Sequence, residues 1–386
     1  MAIQGLLLNA ILGLGTLMLS ACASQSIRPL AQDQLWQDAA FDAGTLTVTE
    51  SAASLFALDA DFLQSLRSAV PAKARPEDRV QALLAHLYGP DGVRLTYSGH
   101  STAAMQTWHS QTGDCLSLTI LAYAASRALG LPARMQEVAV PPVIDRRKGV
   151  DYAVGHVNVI LPLRHSVVLS GRTFESAYLV IDFEPQAASM RRAEELSEAA
   201  VVARFYNNRA AEYWAAGKDK QAYAYFKAAL ESDPSYGPAY SNLAFLYLRH
   251  DLPQAAEALL RYALALSDRL DAPLRGLHRL LLAQGRESEA QVLETEMRSR
   301  QARDPYFWLA KGQGHLKQEE YHSAIEALER AQALSNGFAE VHAHLALAYW
   351  RLGQRAQAQA QIVQLQALPR SDGMLALLNK KLATTP

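Results

Sequence analysis

The sequence predicts an α+β domain followed by an all-α solenoid of helical repeats. Three observations lead to this prediction. The 386 residues exceed what one hydrophobic core usually organises, so at least two folding units are expected. Residues 60–200 mix the helical spacing of apolar side chains with the alternation that is typical of strands. From residue 203 onward, one helical pattern recurs at a period of 34 residues.

The overall composition excludes several classes of protein. Lysine and arginine number 37 and aspartate and glutamate number 38, a net charge of −1, whereas a nucleic-acid-binding protein normally carries a basic excess. We therefore expect no nucleic-acid partner. The two cysteines, Cys22 and Cys115, exclude a disulfide framework and any multi-cysteine zinc or iron–sulfur site. Each cysteine therefore needs its own explanation.

An apolar segment opens the chain and ends at the first cysteine. Residues 3–20 carry no charge, and they lead into Leu19-Ser20-Ala21-Cys22. This pattern resembles the lipobox of bacterial lipoproteins, which implies cleavage of residues 1–21 and attachment of diacylglycerol to the Cys22 thiol. Two or three acyl chains anchor a protein stably to a membrane. Ala23, directly after the cysteine, favours the periplasmic face of the outer membrane in a Gram-negative envelope.

One feature of this segment departs from an ordinary signal peptide. Signal peptides normally begin with Lys or Arg, but the first basic residue here is Arg28. Either the true start codon lies upstream or the signal is unusually poor. An uncleaved membrane anchor and a plain secretory signal are the alternatives to a lipoprotein.

The remaining chain divides into four parts. Residues 22–59 are polar and mixed in composition, which suits a tether or amino-terminal extension. Residues 60–200 form the α+β domain, and residues 203–372 form five repeats. Residues 373–386 contain an apolar stretch that is able to cap the last repeat.

The repeats are marked by turn residues and small residues at fixed positions. Helix-to-helix turns are predicted at five positions that lie 34 residues apart: Gly217, Asp251, Gly285, Glu319 and Gly353. Five residues after each turn stands an alanine: Ala222, Ala256, Ala290, Ala324 and Ala358. This pattern resembles the tetratricopeptide repeat, in which small residues let paired helices approach closely. The third unit is degenerate at His278 and Glu294.

The second cysteine stands where a helix is predicted to begin. Gly113 and Asp114 form a turn, and Asp114 is a candidate N-cap for a helix from about Cys115 to Leu129, which Gly130 ends. Unpaired N–H groups and the helix dipole stabilise an anion at a helix start, and thiol pKa values fall there. Cys115 is therefore a candidate nucleophile, and a small buried hydrophobic side chain is the alternative.

Two strand residues complete a candidate triad. His156 lies in the strand-like run 155–160, and Asp182 follows the apolar strand that begins at Tyr178. Antiparallel pairing of these strands would set Asp182 beside His156, with the imidazole facing the helix of Cys115. The alternatives are a hydrogen-bonded core histidine and a turn-forming aspartate at a strand end.

These segments resemble the transglutaminase-like, papain-related superfamily over about residues 60–190. The resemblance rests on the GDC sequence before the helix, Cys115-Leu-Ser-Leu-Thr119, Gln136-Glu-Val138 and the HVNV run that begins at His156. Bacterial domains of this kind often precede tetratricopeptide repeats. The resemblance implies that Cys115 is the nucleophile, His156 the base and Asp182 the residue that orients the imidazole. The superfamily also includes inactive relatives.

The implied chemistry is acyl transfer. The thiolate attacks a carboxamide or peptide carbonyl, and His156 returns the proton to the leaving amine. The backbone N–H of Cys115, with the side chain of Gln111 or Trp108, is the candidate oxyanion site. Water as acceptor makes a cysteine peptidase or amidase, and an amine makes a crosslinking enzyme. The sequence leaves both open, and we favour hydrolysis because water is abundant.

No metal or cofactor site is predicted. His100 and His109 have no close ligand spacing with another histidine or a cysteine. His342 and His344 are two residues apart on a predicted helix, so they lie on different faces. No glycine-rich phosphate loop is found outside the apolar amino-terminal segment.

Two functional hypotheses follow. The leading one is an envelope lipoprotein with a thiol acyl-transfer site that acts on a protein or peptide recruited by its repeats. The alternative is a non-catalytic scaffold, in which the repeats mediate protein–protein interaction and the α+β domain is a binding module. Stacked helical hairpins form a concave surface that commonly binds proteins or peptides, although a rigid spacer remains the other interpretation.

Overall fold

A computed structural model describes twelve segments of the chain, which are residues 30–42, 47–89, 96–97, 99–147, 150–162, 165–169, 172–176, 179–181, 193–267, 270–335, 339–368 and 372–383. Cys22 and Asp182 lie outside these segments. Within them, no helix combines the length and the apolar character needed to cross a membrane.

The first half is a mixed region built around one buried helix and a small sheet. Its helices are α1 (Gln32–Leu35), a 3-10 helix (Asp38–Phe41), α2 (Ala52–Leu55), α3 (Ala60–Ala69), α4 (Pro76–Tyr88), α5 (Ala104–Ser110) and α6 (Cys115–Ala128). Two short strands, β1 (Thr96–Tyr97) and β2 (Thr112–Gly113), pair in parallel. The helix α6 is buried on all sides from Leu116 to Ser126, so it is the centre of this region.

Six further strands follow α6. They are β3 (Arg134–Arg147), β4 (Val150–Leu161), β5 (His165–Leu169), β6 (Arg172–Ser176), β7 (Leu179–Ile181) and β8 (Ala193–Leu196). Four of them form an antiparallel sheet in the order β7-β4-β3-β8, and β5 pairs with β6. We call residues 60–196, the part of this half that contains α3 to α6 and the strands, the sheet domain.

The second half consists of helical hairpins. The paired helices are α7 (Glu198–Ala215) with α8 (Asp219–Ser232), α9 (Gly237–Arg249) with α10 (Pro253–Leu266), α11 (Asp271–Ala283) with α12 (Glu287–Arg303), α13 (Pro305–Lys317) with α14 (Tyr321–Leu334), and α15 (Ala339–Arg351) with α16 (Arg355–Ala367). The residues predicted to turn each hairpin all have positive φ: Gly217, Asp251, Gly285, Glu319 and Gly353. The chain is mostly helical, and these hairpins are tetratricopeptide-like.

Small residues allow the two helices of a hairpin to approach closely. The alanines that follow the turns, from Ala222 to Ala358 at intervals of 34 residues, are all at most 1% exposed. In the fourth hairpin the facing residue is Gly312, where an added Cβ would lie 2.5 Å from Cγ of Leu328. A larger side chain at these positions would therefore push the helices apart.

The hydrophobic core is interrupted at the third hairpin. One core runs from Phe41 through the sheet domain to Ala290, and separate cores begin at Leu309 and Ala343. The only buried residue of α12 is Ala290. Glu294 stands on this helix where the other hairpins carry a large apolar residue, so α12 has little apolar surface to offer α13.

A final helix closes the end of the solenoid. The helix α17 (Asp372–Ala383) buries Leu378 and Leu382 against α15 and α16. This packing covers apolar surface of the last hairpin that would otherwise face water.

Part of the predicted tether packs against the first two hairpins. Phe41 is fully buried and stacks on Tyr223 at 4.5 Å between ring centroids. Asp38 accepts hydrogen bonds from the Tyr223 hydroxyl at 2.7 Å and from Lys227 Nζ at 2.9 Å. These hydrogen bonds, that of Tyr223 first, lower the pKa of Asp38, so the carboxylate stays charged. Residues 30–42 are therefore attached to the repeats through a stacked ring and a charged hydrogen bond.

Two glycines of α13 provide a test of the close helix approach. Gly312→Ala should destabilise the protein by about 1–3 kcal/mol, because the new methyl group meets Leu328. Gly314→Ala should stabilise it by up to about 1 kcal/mol, because nothing lies within 4 Å of an added Cβ and alanine favours a helix. Urea unfolding of both variants measures this difference. Equal effects at the two positions would contradict the packing described for this hairpin.

Candidate functional site

Cys115 is the first residue of α6, directly after a side-chain cap. The Asp114 Oδ1 atom accepts hydrogen bonds from the Ser117 backbone N–H at 2.8 Å and the Ser117 hydroxyl at 2.6 Å. Gly113 must be small, because a Cβ there would lie 2.8 Å from the Ser117 Cβ. The predicted N-cap and the left-handed stop at Gly130 (φ +69°) are both confirmed. The half-buried Cys115 is thus the first residue of a helix, where the backbone N–H groups have no partner from a preceding turn of the helix.

A second layer of hydrogen bonds holds the cap in place. The Ser101 hydroxyl donates to Asp114 Oδ2 at 2.5 Å, and it accepts from Asn208 Nδ2 at 3.0 Å. The Ser101 N–H donates to Glu212 Oε1 at 2.9 Å. Both Asn208 and Glu212 belong to α7, the first helix of the repeats. The start of the Cys115 helix is therefore hydrogen-bonded, through Ser101, to the solenoid.

One face of α7 makes the junction between the two halves. Arg204 donates to Glu137 of β3 at 2.6 Å, so Arg204, Asn208 and Glu212 form a polar stripe at intervals of four residues that contacts the sheet domain. This stripe is not among the residues predicted from the sequence, although its four-residue spacing on a predicted helix was an available signal. Nothing in the spacing indicates which partner the stripe meets.

A further contact joins α6 to α7. The Tyr123 hydroxyl donates to Glu198 Oε1 at 2.7 Å. Burial, followed by this hydrogen bond, raises the pKa of Tyr123 to about 12. The phenol therefore keeps its proton, and this contact persists, throughout the neutral pH range.

The sheet domain occupies the position that a preceding hairpin would take. Asn242 of α9, 34 residues after Asn208, donates to Asn207 of the previous first helix at 2.9 Å. Gly276, a further 34 residues on, faces the Phe245 ring of α9. Asn208 itself contacts the sheet domain at Ser101. The sheet domain thus covers the end of the solenoid that would otherwise be open.

His156 lies on a strand that packs against the Cys115 helix. It is 2% exposed and stands opposite Val138 in the β3–β4 pair. Thr119, one turn after Cys115, donates its hydroxyl hydrogen to the carbonyl of Val157 at 3.0 Å. Cys115 and His156 are therefore carried by two elements that are in direct contact.

The structure describes the strand that leads to the third predicted triad residue, but not that residue itself. The strands β4 and β7 pair in the predicted antiparallel sense, with Ile181 opposite Val159. Asp182, the next residue, lies outside the described segments, and its role stays a prediction.

The two oxyanion candidates lie before Cys115 in different settings. Gln111 ends α5 with a left-handed backbone (φ 54°) and an exposed side chain. The Trp108 ring packs edge-on against Phe62 at 4.8 Å and stacks on His86 at 5.4 Å, and burial lowers the pKa of His86. Neither setting tests the proposed role, which stays a prediction.

Three other histidines of the sequence analysis make local contacts. His109 Nε2 is 3.4 Å from Asp59, and His100 Nδ1 is 3.3 Å from Glu212. His342 Nδ1 is 2.7 Å from Gln361 Oε1. Among the described segments, no three side chains of His, Cys, Asp or Glu cluster as metal ligands would.

Comparison with known proteins identifies one tetratricopeptide repeat. The family model of the tetratricopeptide repeat matches residues 203–236, the first hairpin. Among solved structures, pilF of Pseudomonas aeruginosa is 22% identical, covers 48% of this chain and 85% of its own, and gives a TM-score of 0.26. MamA from Desulfovibrio magneticus is 18% identical, covers 44% of this chain and 96% of its own, and gives a TM-score of 0.25. YrrB, described as a TPR protein with an unusual peptide-binding site, is 19% identical, covers 46% of this chain and 92% of its own, and gives a TM-score of 0.25.

No curated protein matches the chain. TM-scores of this size support no conclusion about function. The chain therefore contains at least one tetratricopeptide repeat, and repeats of this class generally bind proteins or peptides. The transglutaminase-like assignment of the sheet domain stays a prediction.

The link between α7 and the Cys115 helix can be tested with two equivalent asparagines. Asn208→Ala should speed backbone hydrogen exchange at residues 112–118, because Ser101 loses a donor and the Asp114 cap loosens. Asn242→Ala is the matched control, since its hydrogen bond stays within the repeats. Exchange measured by mass spectrometry should distinguish them. The same exchange rates at 112–118 in both variants would refute the link.

Proposed function

We propose that this protein binds a partner protein or peptide through the inner surface of its repeats. The observation that supports the proposal is a set of partly exposed side chains on the first helices of successive hairpins. Those helices contact one another in the pairs α7–α9, α9–α11 and α13–α15, so they form the inner layer of the solenoid.

The inner surface is defined here by equivalent positions on three helices. On α9 they are Ser241, Phe245, Leu248 and Arg249; on α11 they are Arg275, Arg279, Leu282 and Ala283; on α13 they are Leu309, Gln313, Leu316 and Lys317. Leu282 is 48% exposed, and Phe245 and Leu248 are half-buried. Apolar side chains that stay in contact with water on a grooved surface favour a binding role.

Site-specific photocrosslinking tests this proposal. A photoreactive phenylalanine analogue at Leu248 should give a discrete covalent adduct with a partner in cells, because this position lies on the inner surface. The matched control is the same substitution at Val292, which is 68% exposed on the outer helix α12. If Val292 gave the adduct and Leu248 gave none, the binding surface would be wrongly assigned.

A second candidate function is thiol chemistry at Cys115. Its support is the location of Cys115 at the start of a capped helix, where a thiolate is stabilised, and the packing of the His156 strand on that helix. In this reaction His156 takes the thiol proton, and the sulfur attacks a carbonyl carbon. A thioester forms as the leaving amine takes the proton from His156. Water or an amine then attacks the thioester and releases Cys115.

The pH dependence of alkylation tests this candidate. The thiol of Cys115 should react with iodoacetamide with an apparent pKa well below about 8.5, the value for an ordinary cysteine. His156→Ala should raise that pKa by removing the proton acceptor, whereas His342→Ala, a buried histidine of α15, should leave it unchanged. Mass spectrometry of the peptide containing Cys115 follows the reaction. An ordinary pKa that is indifferent to His156 would favour a binding module.

We also propose that Cys22 is lipidated and holds the protein at a membrane of the bacterial envelope. The support is the lipobox-like sequence that ends at Cys22. Cys22→Ala should move the protein from the membrane fraction to the soluble periplasmic fraction and abolish labelling with a fatty-acid analogue. Unchanged labelling would exclude Cys22 as the attachment site.

A further inference from the structure

The charged residues of the inner surface share one sign. They are Arg249, Arg275, Arg279 and Lys317, and no acidic residue occupies the equivalent positions. Arg279 is exposed and makes no ion pair with a described residue. Arg275 is 43% exposed, and its nearest carboxylate, that of Asp271, is 4.0 Å away. The third hairpin therefore presents two poorly neutralised cations on its inner side.

The outer helices show the opposite behaviour. Arg286, the N-cap residue of α12, contacts Glu257 at 2.6 Å and Glu289 at 2.7 Å, and Arg261 of α10 contacts the same two carboxylates. Arg298 contacts Glu294 at 2.6 Å. These three cations of the outer side are thus neutralised within the chain, and Arg249 of the inner surface is paired with Asp219 at 3.3 Å, whereas Arg279 of α11 makes no such ion pair with a described residue.

Other surfaces of the first two hairpins are already occupied. The polar stripe of α7 contacts the sheet domain, and residues 30–42 contact α8 and α9 through Tyr223 and Tyr247. On the inner surface of α9 and α11, Leu282 and Arg279 are exposed, and Phe245 and Leu248 are half-buried. Exposed apolar and positively charged side chains therefore lie together on this part of the solenoid.

We propose that the inner surface around α11 binds an extended, acidic segment of a partner protein. The carboxylates of that segment would pair with Arg275 and Arg279, and its apolar side chains would pack against Phe245, Leu248 and Leu282. This inference rests on the proposed function and specifies the chemistry of the partner. The apolar side chains supply burial, and the arginines, which bind carboxylates through paired N–H donors, select for charge.

The spacing of the arginines restricts the pattern of the segment. Arg275 and Arg279 are one helical turn apart, which is about 6 Å along the axis. In an extended peptide, residues i and i+2 are about 6.6–6.8 Å apart and point to the same side. Acidic residues at alternate positions therefore match the two arginines, and the intervening residues turn away from them.

Selection from a random dodecapeptide library displayed on phage tests this inference with the full chain. Peptides enriched on the wild-type protein should contain Asp or Glu at alternate positions together with large apolar residues. A representative selected peptide should bind at least about tenfold more weakly to the Arg275→Glu/Arg279→Glu variant. The matched control is Arg298→Glu/Arg303→Glu on α12, which changes the net charge equally and should bind normally.

The outcomes separate the inference from the proposed function. Selected peptides without acidic residues, or equal binding to both double variants, would overturn the inference and leave partner binding intact. No enriched peptide, with a crosslinked adduct at Leu248, would mean that the partner is not recognised as a linear acidic segment, which also overturns the inference. No enriched peptide and no adduct would overturn both.

Discussion

The polar stripe of α7 is the interaction on which the arrangement of this molecule depends. Arg204, Asn208 and Glu212 lie on one face of the first helix of the repeats. That face is hydrogen-bonded to the sheet domain. Because these contacts are partly buried hydrogen bonds and an ion pair, loss of one partner would leave the other without its best partner. The stripe therefore fixes where the sheet domain sits on the solenoid.

The same interaction connects the two candidate functions. Asn208 holds Ser101, and Ser101 holds the Asp114 cap beside Cys115. The helix that supports the thiol is thus attached to the helix that begins the repeats, and the inner surface continues from there along α9 and α11. A partner bound by the repeats would therefore contact helices that are linked to the Cys115 helix through Asn208 and Ser101. This holds whether the sheet domain is catalytic or a binding module.

The stacking of the hairpins explains why both ends of the solenoid are covered and why its hydrophobic core is interrupted at one place. The sheet domain covers the first hairpin and α17 covers the last, so the end hairpins do not expose apolar faces. The core is interrupted at α12, because Glu294 takes the place of a large apolar residue and His278 that of a small one. Departures from the repeat pattern in the sequence therefore correspond to a break in packing.

The predictions from sequence were most successful where local physics acts alone. A 34-residue spacing of small residues and turns is enough to place the hairpins, since each unit repeats the same short-range packing. Asp114 was identified as a cap and Gly130 as a helix stop, because capping needs only neighbouring backbone groups. The role of Ser101 and the packing of residues 30–42 were missed, because both depend on residues more than a hundred positions away.

The sequence by itself determined the period of the repeats and the ends of the Cys115 helix. It also indicated the antiparallel pairing of β4, which carries His156, with β7, which precedes Asp182. Only the tertiary structure decided that α7 joins the two halves, that Phe41 is inserted among the tyrosines of the first two hairpins, and that Arg279 of α11 is exposed without an ion pair to a described residue. Local propensity and periodicity specify elements, whereas the meeting of distant elements depends on which surfaces can be buried together.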